Sequence, residues 1–501
     1  MFPLRTPSPT RPSRRSLIPR REGAFWVLFT LLAPQGFGVV FTVLLRRVLG
    51  PGTSGLFDTA GVPYQFLDGF RSFGTGPAIV YQQEIDRPVA NTAWTINMIS
   101  AVITTLVAQI VAYPLALYFR HPAIEGIIRI LSLAYLFGSA GSIHYFLLLR
   151  RLDFRARAVP ALGQVAAGGI VALLFALWGF GVWTLVAREV ASVAAGAALL
   201  WLIYPFRPRP QFIPDVARTL IRYGFWIGAG YTLLYLSQNV DVLIGARIIH
   251  RAADIGFYTT SWKLSFIIAG ALASVSTSMV FPSLSRLRQD REALDAALLT
   301  ALRQIATVAL PTAALLAILA PSLVVPVLGP RWHAFRDAWP VLSILAIYAG
   351  NRSVLFTLFE GYKAIGRPSI IPYYHLVKLA IITPAVIVGA QHGILGLAAV
   401  YLPIQVLEVP AILILARRFL DIHLAAVWSA LRVPLMTTVT MGAVTAGVEG
   451  LMRAQGISDA TTLAVCLPLG LLLYAGVLHQ LDPNIVGEAR GVLLHGLAPG
   501  R

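Results

Sequence analysis

The chain has 501 residues, of which 57% are hydrophobic and only 12% charged, with 40 Lys and Arg against 22 Asp and Glu and a formal net charge of +18. Soluble domains are about 45–50% apolar and about 25% charged, so composition excludes a water-soluble enzyme, and a mean hydropathy of +0.73 points to the bilayer. In so apolar a chain the cationic excess reads as topology, because cytoplasmic loops of membrane proteins collect Lys and Arg, and not as a nucleic-acid surface. A single cysteine, Cys466, excludes an intramolecular disulfide and a cysteine-ligated metal cluster.

A helix needs about 20 mostly apolar residues to cross the bilayer core. In chain order, runs of this kind occupy residues 24–45, 56–80, 92–119, 123–148, 160–180, 182–204 and 223–246, and then 255–282, 304–328, 339–359, 369–390, 393–416, 433–452 and 460–480. These are about 14 transmembrane spans. The second and eighth are rich in Gly, Ser and Thr and carry charges, which suits helices facing a wet interior. Residues 1–23 hold six arginines among prolines, too few apolar groups to bury a core, and are expected to be disordered. The first span lacks a small-residue cleavage site and reads as an uncleaved helix.

With the N-terminus inside, the cytoplasmic connections and both tails hold 26 of the 40 Lys and Arg, the opposite connections hold 8, and 6 lie within spans. This asymmetry predicts cytoplasmic N- and C-termini. The extracytoplasmic connections are short and leave no room for a catalytic loop.

The chain resembles itself. Arg46, Gly55, Phe57 and Thr59 around the first connection recur as Arg247, Gly256, Tyr258 and Thr260, each displaced by 201 residues. A weaker echo links the glycine turn at Gly179 and Gly181 with that at Gly393 and Gly396. An even number of spans separates the copies, so the halves share one orientation. The expected architecture is therefore all-α and polytopic, with two pseudo-repeated six-helix lobes around a central cavity. The boundaries are an N-lobe at 24–210, a C-lobe at 211–420, two further helices at 421–480 and a cytoplasmic tail at 481–501.

Six cations fall within spans: Arg71, Arg129, Arg188, Lys263, Arg352 and Lys378. A cation at the bilayer centre costs about 2.5–3.5 kcal/mol, so six exposed to lipid would cost on the order of 15–20 kcal/mol. Arg129 has Glu125 one turn before it and is expected to pair there and snorkel. The other five, Arg71 on its glycine-rich helix foremost, are candidates for lining a cavity that takes an anion. Among the internal acids, Asp68 lies one turn from Arg71, Asp241 closes a polar stretch of the seventh span, and Glu408 lies deep in the twelfth; these are the charge-partner or ion-coupling candidates. No Gly-rich phosphate loop, His-Glu-x-x-His motif or carboxylate pair on a large loop occurs, so a transporter is expected rather than an enzyme, with no cofactor and no metal. His144, His375 and His392 near span ends read as structural.

Several stretches, in this order and spacing, resemble the polysaccharide (Wzx-like) flippases of the multidrug, oligosaccharidyl-lipid and polysaccharide exporter superfamily. They are Arg150-Arg151-Leu152-Asp153-Phe154, Asn239-Val240-Asp241 leading to Gly256-Phe257-Tyr258, Phe281-Pro282-Ser283-Leu284-Ser285, Leu328-Gly329-Pro330-Arg331-Trp332 and Gly361-Tyr362-Lys363-Ala364-Ile365-Gly366-Arg367. The resemblance implies alternating access and a cargo of undecaprenyl-diphosphate-linked oligosaccharide, moved across the bacterial inner membrane for exopolysaccharide or O-antigen synthesis. It also implies membrane lipids and polysaccharide polymerase or export proteins as partners, no nucleic acid, and a monomer. The alternatives within the superfamily are a cation-coupled multidrug exporter and a lipid II flippase. The latter carry arginines within the first helix, whereas none occurs here between Glu22 and Arg46. They also join an acid of the seventh helix to Asn and Asp of the eleventh in a sodium site, where this chain has Asp241 and Lys378; against that pattern the Lys378 ammonium is expected to stand where the ion would and to pair with Asp241, so that coupling uses protons or is absent.

Overall fold

The computed structural model describes residues 36–71, 79, 86–150, 154–276, 280–287 and 289–482. The basic N-terminal tail, the first part of span one, the end of span two, residues 151–153 and the tail beyond Asp482 lie outside the described residues. Among the described residues there is no strand.

Among the described residues each expected span coincides with a helix, span one over its described part from residue 36 and span two up to Arg71. The first half contains α1 (36–49), α2 (Pro51–Arg71), α3 (Arg87–Phe119), α4 (Ala123–Arg150), α5 (Phe154–Leu177) and α6 (Val182–Ile203). The second contains α7 (Pro214–Ile249), α8 (Ala252–Val275), the short α9 (Phe281–Arg286), α10 (Arg291–Leu328), α11 (Trp339–Ala364), α12 (Ile370–Ala390), and the twelfth span in two pieces, α13 (Gly393–Ala399) and α14 (Tyr401–Leu420). Two helices follow, α15 (Leu424–Ala454) and α16 (Asp459–Leu481). Ten helices are long and apolar enough to cross a membrane by length and composition. The exceptions among the expected spans are α1, of which only 36–49 is described, and α2, α7 and α8. These last three carry Asp58, Asp241 and Lys263, which line the interior.

Local chemistry sets the turns. Gly50, at φ +82°, ends α1 in a conformation that other residues avoid, and Pro51 starts α2 at a position where its missing N–H costs nothing. Asp290 caps α10 by accepting from the Ala293 N–H at 3.1 Å, and Ser458 caps α16 from Thr461 at 3.2 Å.

The two lobes meet where α2 packs against α8, near the α1–α2 and α7–α8 turns. Here the repeated glycines face one another: a Cβ on Gly55 would collide with the Ala252 carbonyl and lie 2.8 Å from the Gly256 nitrogen, and one on Gly256 would collide with the Pro51 carbonyl. The 201-residue repeat is thus a pair of positions brought into contact where the lobes meet. Reciprocal clasps flank this crossing. The Trp332 indole N–H donates to the Arg46 carbonyl at 2.9 Å and Arg331 donates to the Val48 carbonyl, so the α10–α11 loop of the C-lobe holds the α1–α2 turn. Conversely, His121 Nε2 lies 2.7 Å from the His250 carbonyl and Arg120 3.1 Å from His250 Nε2, so the α3–α4 loop of the N-lobe holds the α7–α8 turn. One apolar cluster runs across both lobes at this end, joining Ile127 and Tyr135 to Tyr258, Trp332 and Tyr348. Of two further clusters, one around Ile96, Ile143 and Leu220 also joins the lobes, through the start of α7, and another around Leu298, Leu358 and Tyr362 lies within the C-lobe. Hydrogen bonds thus clasp the lobes together at the α1–α2 end.

Inside the C-lobe, Lys378 of α12 is buried and pairs with Glu408 of α14 at 2.9 Å while donating to the Tyr348 hydroxyl at 2.6 Å; Tyr374 also donates to Glu408. The expected Lys378–Asp241 pair does not form, because Asp241 has its own donors, described below. Arg129 does pair with Glu125, at 2.7 Å. Helices α15 and α16 pack on α10, tied by Tyr474 to the Thr307 carbonyl at 2.8 Å and by Ser322 to Glu449 at 3.1 Å.

Two outcomes follow. Gly256→Ala overpacks the crossing and is expected to destabilise by about 1–3 kcal/mol, read as a lower melting temperature of the purified protein; an unchanged melting curve would contradict so close an approach. Glu408→Gln strands a buried ammonium and should cost about 3–5 kcal/mol, most of it recovered in the Lys378→Met/Glu408→Gln double variant.

Candidate functional site

A cavity of about 300 Å³ lies between α2 of the N-lobe and α7, α8 and α11 of the C-lobe, with Asp58, Gln65, Gln238, Asp241, Lys263 and Arg352 in its wall. A second, of about 540 Å³, lies between α1, α6 and α8; Arg46, Arg188 and Lys263 line it, and Val39, Val43, Leu264 and Ile267 make it otherwise apolar. Lys263 and Phe266 belong to both walls and divide them.

The charges converge on one carboxylate. Asp58 Oδ2 accepts from Arg46 Nη2 at 2.6 Å and from the Thr259 hydroxyl at 2.5 Å, and Oδ1 accepts from Lys263 Nζ at 2.5 Å. Arg46 also donates to the Thr260 hydroxyl. Asp58 and Thr259 are themselves related by the 201-residue displacement. Arg46 and Asp58 are buried, whereas the Lys263 side chain is 49% exposed within the interior. A buried carboxylate needs paired, hydrogen-bonded cations, and this one draws them from α1 and α8, two helices on opposite sides of the lobe boundary.

Arg46 is the residue that the sequence reading missed. It ends the first span at Arg46 and counts that residue with the loop charges, but α1 continues to residue 49 and turns the guanidinium inward at 4% exposure. The first helix therefore does carry an interior arginine. The signal was the repeat, which begins at Arg46.

Around the two cavities stand four cations, Arg46, Arg188, Lys263 and Arg352, against the acids Asp58 and Asp241. Arg352 lies over the Phe266 ring, 5.4 Å from its centre. Asp241 is fully buried and held by neutral donors: Oδ2 accepts from Tyr258 at 2.5 Å, Tyr401 at 2.8 Å and Trp262 Nε1 at 2.9 Å, and Oδ1 from the Val242 N–H at 2.8 Å. Those donors occupy the positions that a lysine partner would need.

The remaining expected site residues lie apart from both cavities. Arg71, at the end of α2, donates to Asp68 at 2.6 Å and to Ser139 at 3.0 Å. Lys378 and Glu408 neutralise each other deeper in the C-lobe. The histidines have local partners: His144 lies 2.9 Å from the Phe206 carbonyl, His375 3.1 Å from the Ser237 hydroxyl and His392 3.2 Å from the Val388 carbonyl. Among the described residues no three His, Cys, Asp or Glu side chains come together as a metal site.

Comparison with known proteins agrees with this architecture. Residues 44–337 match the profile of a family described as "polysaccharide biosynthesis protein". The succinoglycan biosynthesis transport protein ExoT of Rhizobium meliloti (strain 1021) is 27% identical over 379 residues, covering 75% of this chain and 76% of that one. The lipopolysaccharide biosynthesis protein WzxC of Escherichia coli (strain K12) is 22% identical over 394 residues, 77% of this chain and 78% of that one. Among solved structures, the lipid II flippase MurJ in an inward closed conformation superposes with a TM-score of 0.73 at 13% identity, covering 93% of this chain and all of that one. An inward-facing MATE family multidrug resistance transporter gives 0.60 at 15% identity, covering 83% and 98%. At such identities these structures establish the fold alone. The profile covers more than half of the chain, in register with the lobe-spanning charge cluster, and the chain belongs to the polysaccharide biosynthesis protein family.

Proposed function

We propose that the protein moves undecaprenyl-diphosphate-linked oligosaccharide repeat units across the inner membrane by alternating access, for exopolysaccharide or O-antigen synthesis. The observation that carries this reading is the cationic surplus around two adjoining cavities, one polar and one largely apolar, with Lys263 between them. A diphosphate is anionic and its oxygens suit charge-assisted bonds to arginine and lysine; the oligosaccharide and the polyprenyl tail call for walls of opposite character. A multidrug exporter for cationic drugs would be better served by acids at that divide. The transport similarity to ExoT and WzxC supports the same assignment.

The geometry suggests how cargo binding loosens the clasped end. Asp58 on α2 ties Lys263 and Thr259 on α8, so its bonds cross between lobes. An incoming diphosphate competes with the Asp58 carboxylate for the half-exposed Lys263 ammonium. Each bond transferred to cargo is one withdrawn from the clasped end, and a ligand shifts a conformational equilibrium only through such differential contact. Arg188 and Arg352 then flank the phosphates, while Arg71, held by Asp68 and Ser139, is a peripheral contact. Asp241 and Glu408, each engaged by protein donors, are the acids through which any proton coupling would pass. The cytoplasmic N- and C-termini expected from loop charge direct the clasped end to the periplasm.

Lys263→Ala is expected to abolish surface polysaccharide and accumulate lipid-linked intermediates at an unchanged level of inserted protein, with Lys263→Arg restoring most export and Arg71→Ala impairing it less; normal polymer with Lys263→Ala would refute the reading. Orientation is checked separately. A membrane-impermeant maleimide should label Ser458→Cys in intact cells and Arg209→Cys only after permeabilisation, both in a Cys466→Ser background; the reverse pattern would invert the topology.

A further inference from the structure

The smaller cavity has a lining that diphosphate recognition does not use. On the side away from Asp58 it is walled by Tyr235, Gln238, Asn239 and Trp262 from α7 and α8, with Gln65 and Gly61 of α2 opposite. Among the described residues neither Gln65 nor Gln238 makes a hydrogen bond to protein, so both primary amides face the cavity with donors and an acceptor to offer. Trp262 is fixed in place: its N–H contacts Asp241 at 2.9 Å and the Tyr258 hydroxyl at 2.8 Å, its ring stacks on Phe266 at 4.3 Å, and Tyr348 and Tyr401 meet it edge-on at 5.8 and 5.3 Å. A rigid aromatic ring beside amides that both donate and accept is the chemistry for a neutral polyhydroxylated ring. Its C–H face lies against an aromatic, and its hydroxyls exchange paired hydrogen bonds with carboxamides.

We propose that this cavity is a sugar subsite that seats the sugar residue next to the diphosphate, with Trp262 as its platform and Gln65 and Gln238 as its hydrogen-bonding walls. The inference rests on the flippase reading and names the part of the cargo that this wall selects. Lys263 fixes the register, because the phosphates held there leave the adjoining sugar only the polar cavity to enter. The rest of the oligosaccharide extends beyond it. Selectivity for the first sugar therefore resides in Gln65 of α2, Gln238 of α7 and Trp262 of α8, and the diphosphate contacts, which are common to every cargo, reside in Lys263 of α8 with Arg188 of α6 and Arg352 of α11 beside it.

Gly61 supplies the test. It lines the cavity, and a Cβ built there meets nothing within 4 Å, so a larger side chain projects into open space instead of into a neighbouring helix. Binding of a fluorescent short-chain polyprenyl diphosphate, bare or bearing glucose, galactose or N-acetylglucosamine, is measured on the purified full-length protein. The wild type should prefer at least one sugar-bearing lipid over the bare one by about tenfold or more. Gly61→Phe should remove that preference and leave affinity for the bare lipid unchanged; Gln238→Ala and Gln65→Ala should each reduce it by about three- to tenfold, the loss of one hydrogen-bonding group. A wild type that binds bare and sugar-bearing lipids equally, or a Gly61→Phe protein that keeps the preference, would overturn the subsite and leave the flippase reading standing. A wild type that binds none of the lipids would overturn the flippase reading itself. If Gly61→Phe melts early, the two glutamine variants on separate helices decide the matter.

Discussion

The carboxylate of Asp58 is the point at which the two lobes are held in one arrangement. It is buried, and ionised groups in such surroundings persist only with paired charges and satisfied oxygens. Arg46, Lys263 and Thr259 meet that requirement from three directions, two of them across the lobe boundary. Removing the acid would leave two cations facing each other without a counter-charge; removing either cation would weaken the tie between α2 and α8. The glycine crossing at Gly55 and Gly256 brings the backbones close enough for these short bonds. The surrounding clasps at Trp332 and His121 close the same end from outside. Packing and electrostatics thus act at one locus, where a competing anion could separate them.

The cost of placing polar groups in a membrane explains which helices do this work. Helices α2, α7 and α8 fall outside the set apolar enough to span by composition, while the outer helices of both lobes are within it. Lipid tolerates no unpaired charge at depth, so the charged helices are those that face one another around the cavities. The two polar hubs of the C-lobe follow the same rule in different ways. Asp241 is satisfied by neutral hydroxyl, indole and amide donors, whereas Glu408 is satisfied by an ion pair with Lys378. The Asp58 cluster differs in presenting a cation, Lys263, that is half open to the interior.

Much of the architecture was legible in the residue order. Span positions depend on local apolarity and length, and among the described residues each expected span corresponds to a helix. The 201-residue repeat was legible too, and its meaning became concrete when Gly55 met Gly256 and Asp58 met Thr259. The Arg129–Glu125 pair was legible because its partners are one helical turn apart. Arg46 was not, because the rule that charges end a span sees only neighbours in sequence, and what draws this guanidinium inward is an acid on the next helix. The Lys378 pairing failed for a related reason. Asp241 and Glu408 were both available acids by composition, and choosing between them required knowing that Tyr258, Tyr401 and Trp262 surround the first.

By itself the sequence determined that this chain lives in a membrane, where its apolar helices lie, that it is built from two pseudo-repeated lobes, and that its interior carries charge. Each of these follows from short-range chemistry, namely the transfer of side chains to hydrocarbon and the periodicity of a helix. The tertiary structure alone decided which charges meet, which face the cavity and which are spent on one another. Those outcomes depend on contacts between residues up to 286 positions apart, as between Arg46 and Trp332, and on the absence of a side chain at two glycines. Such contacts leave no local trace, because the energy that fixes them arises only when separate helices exclude lipid together.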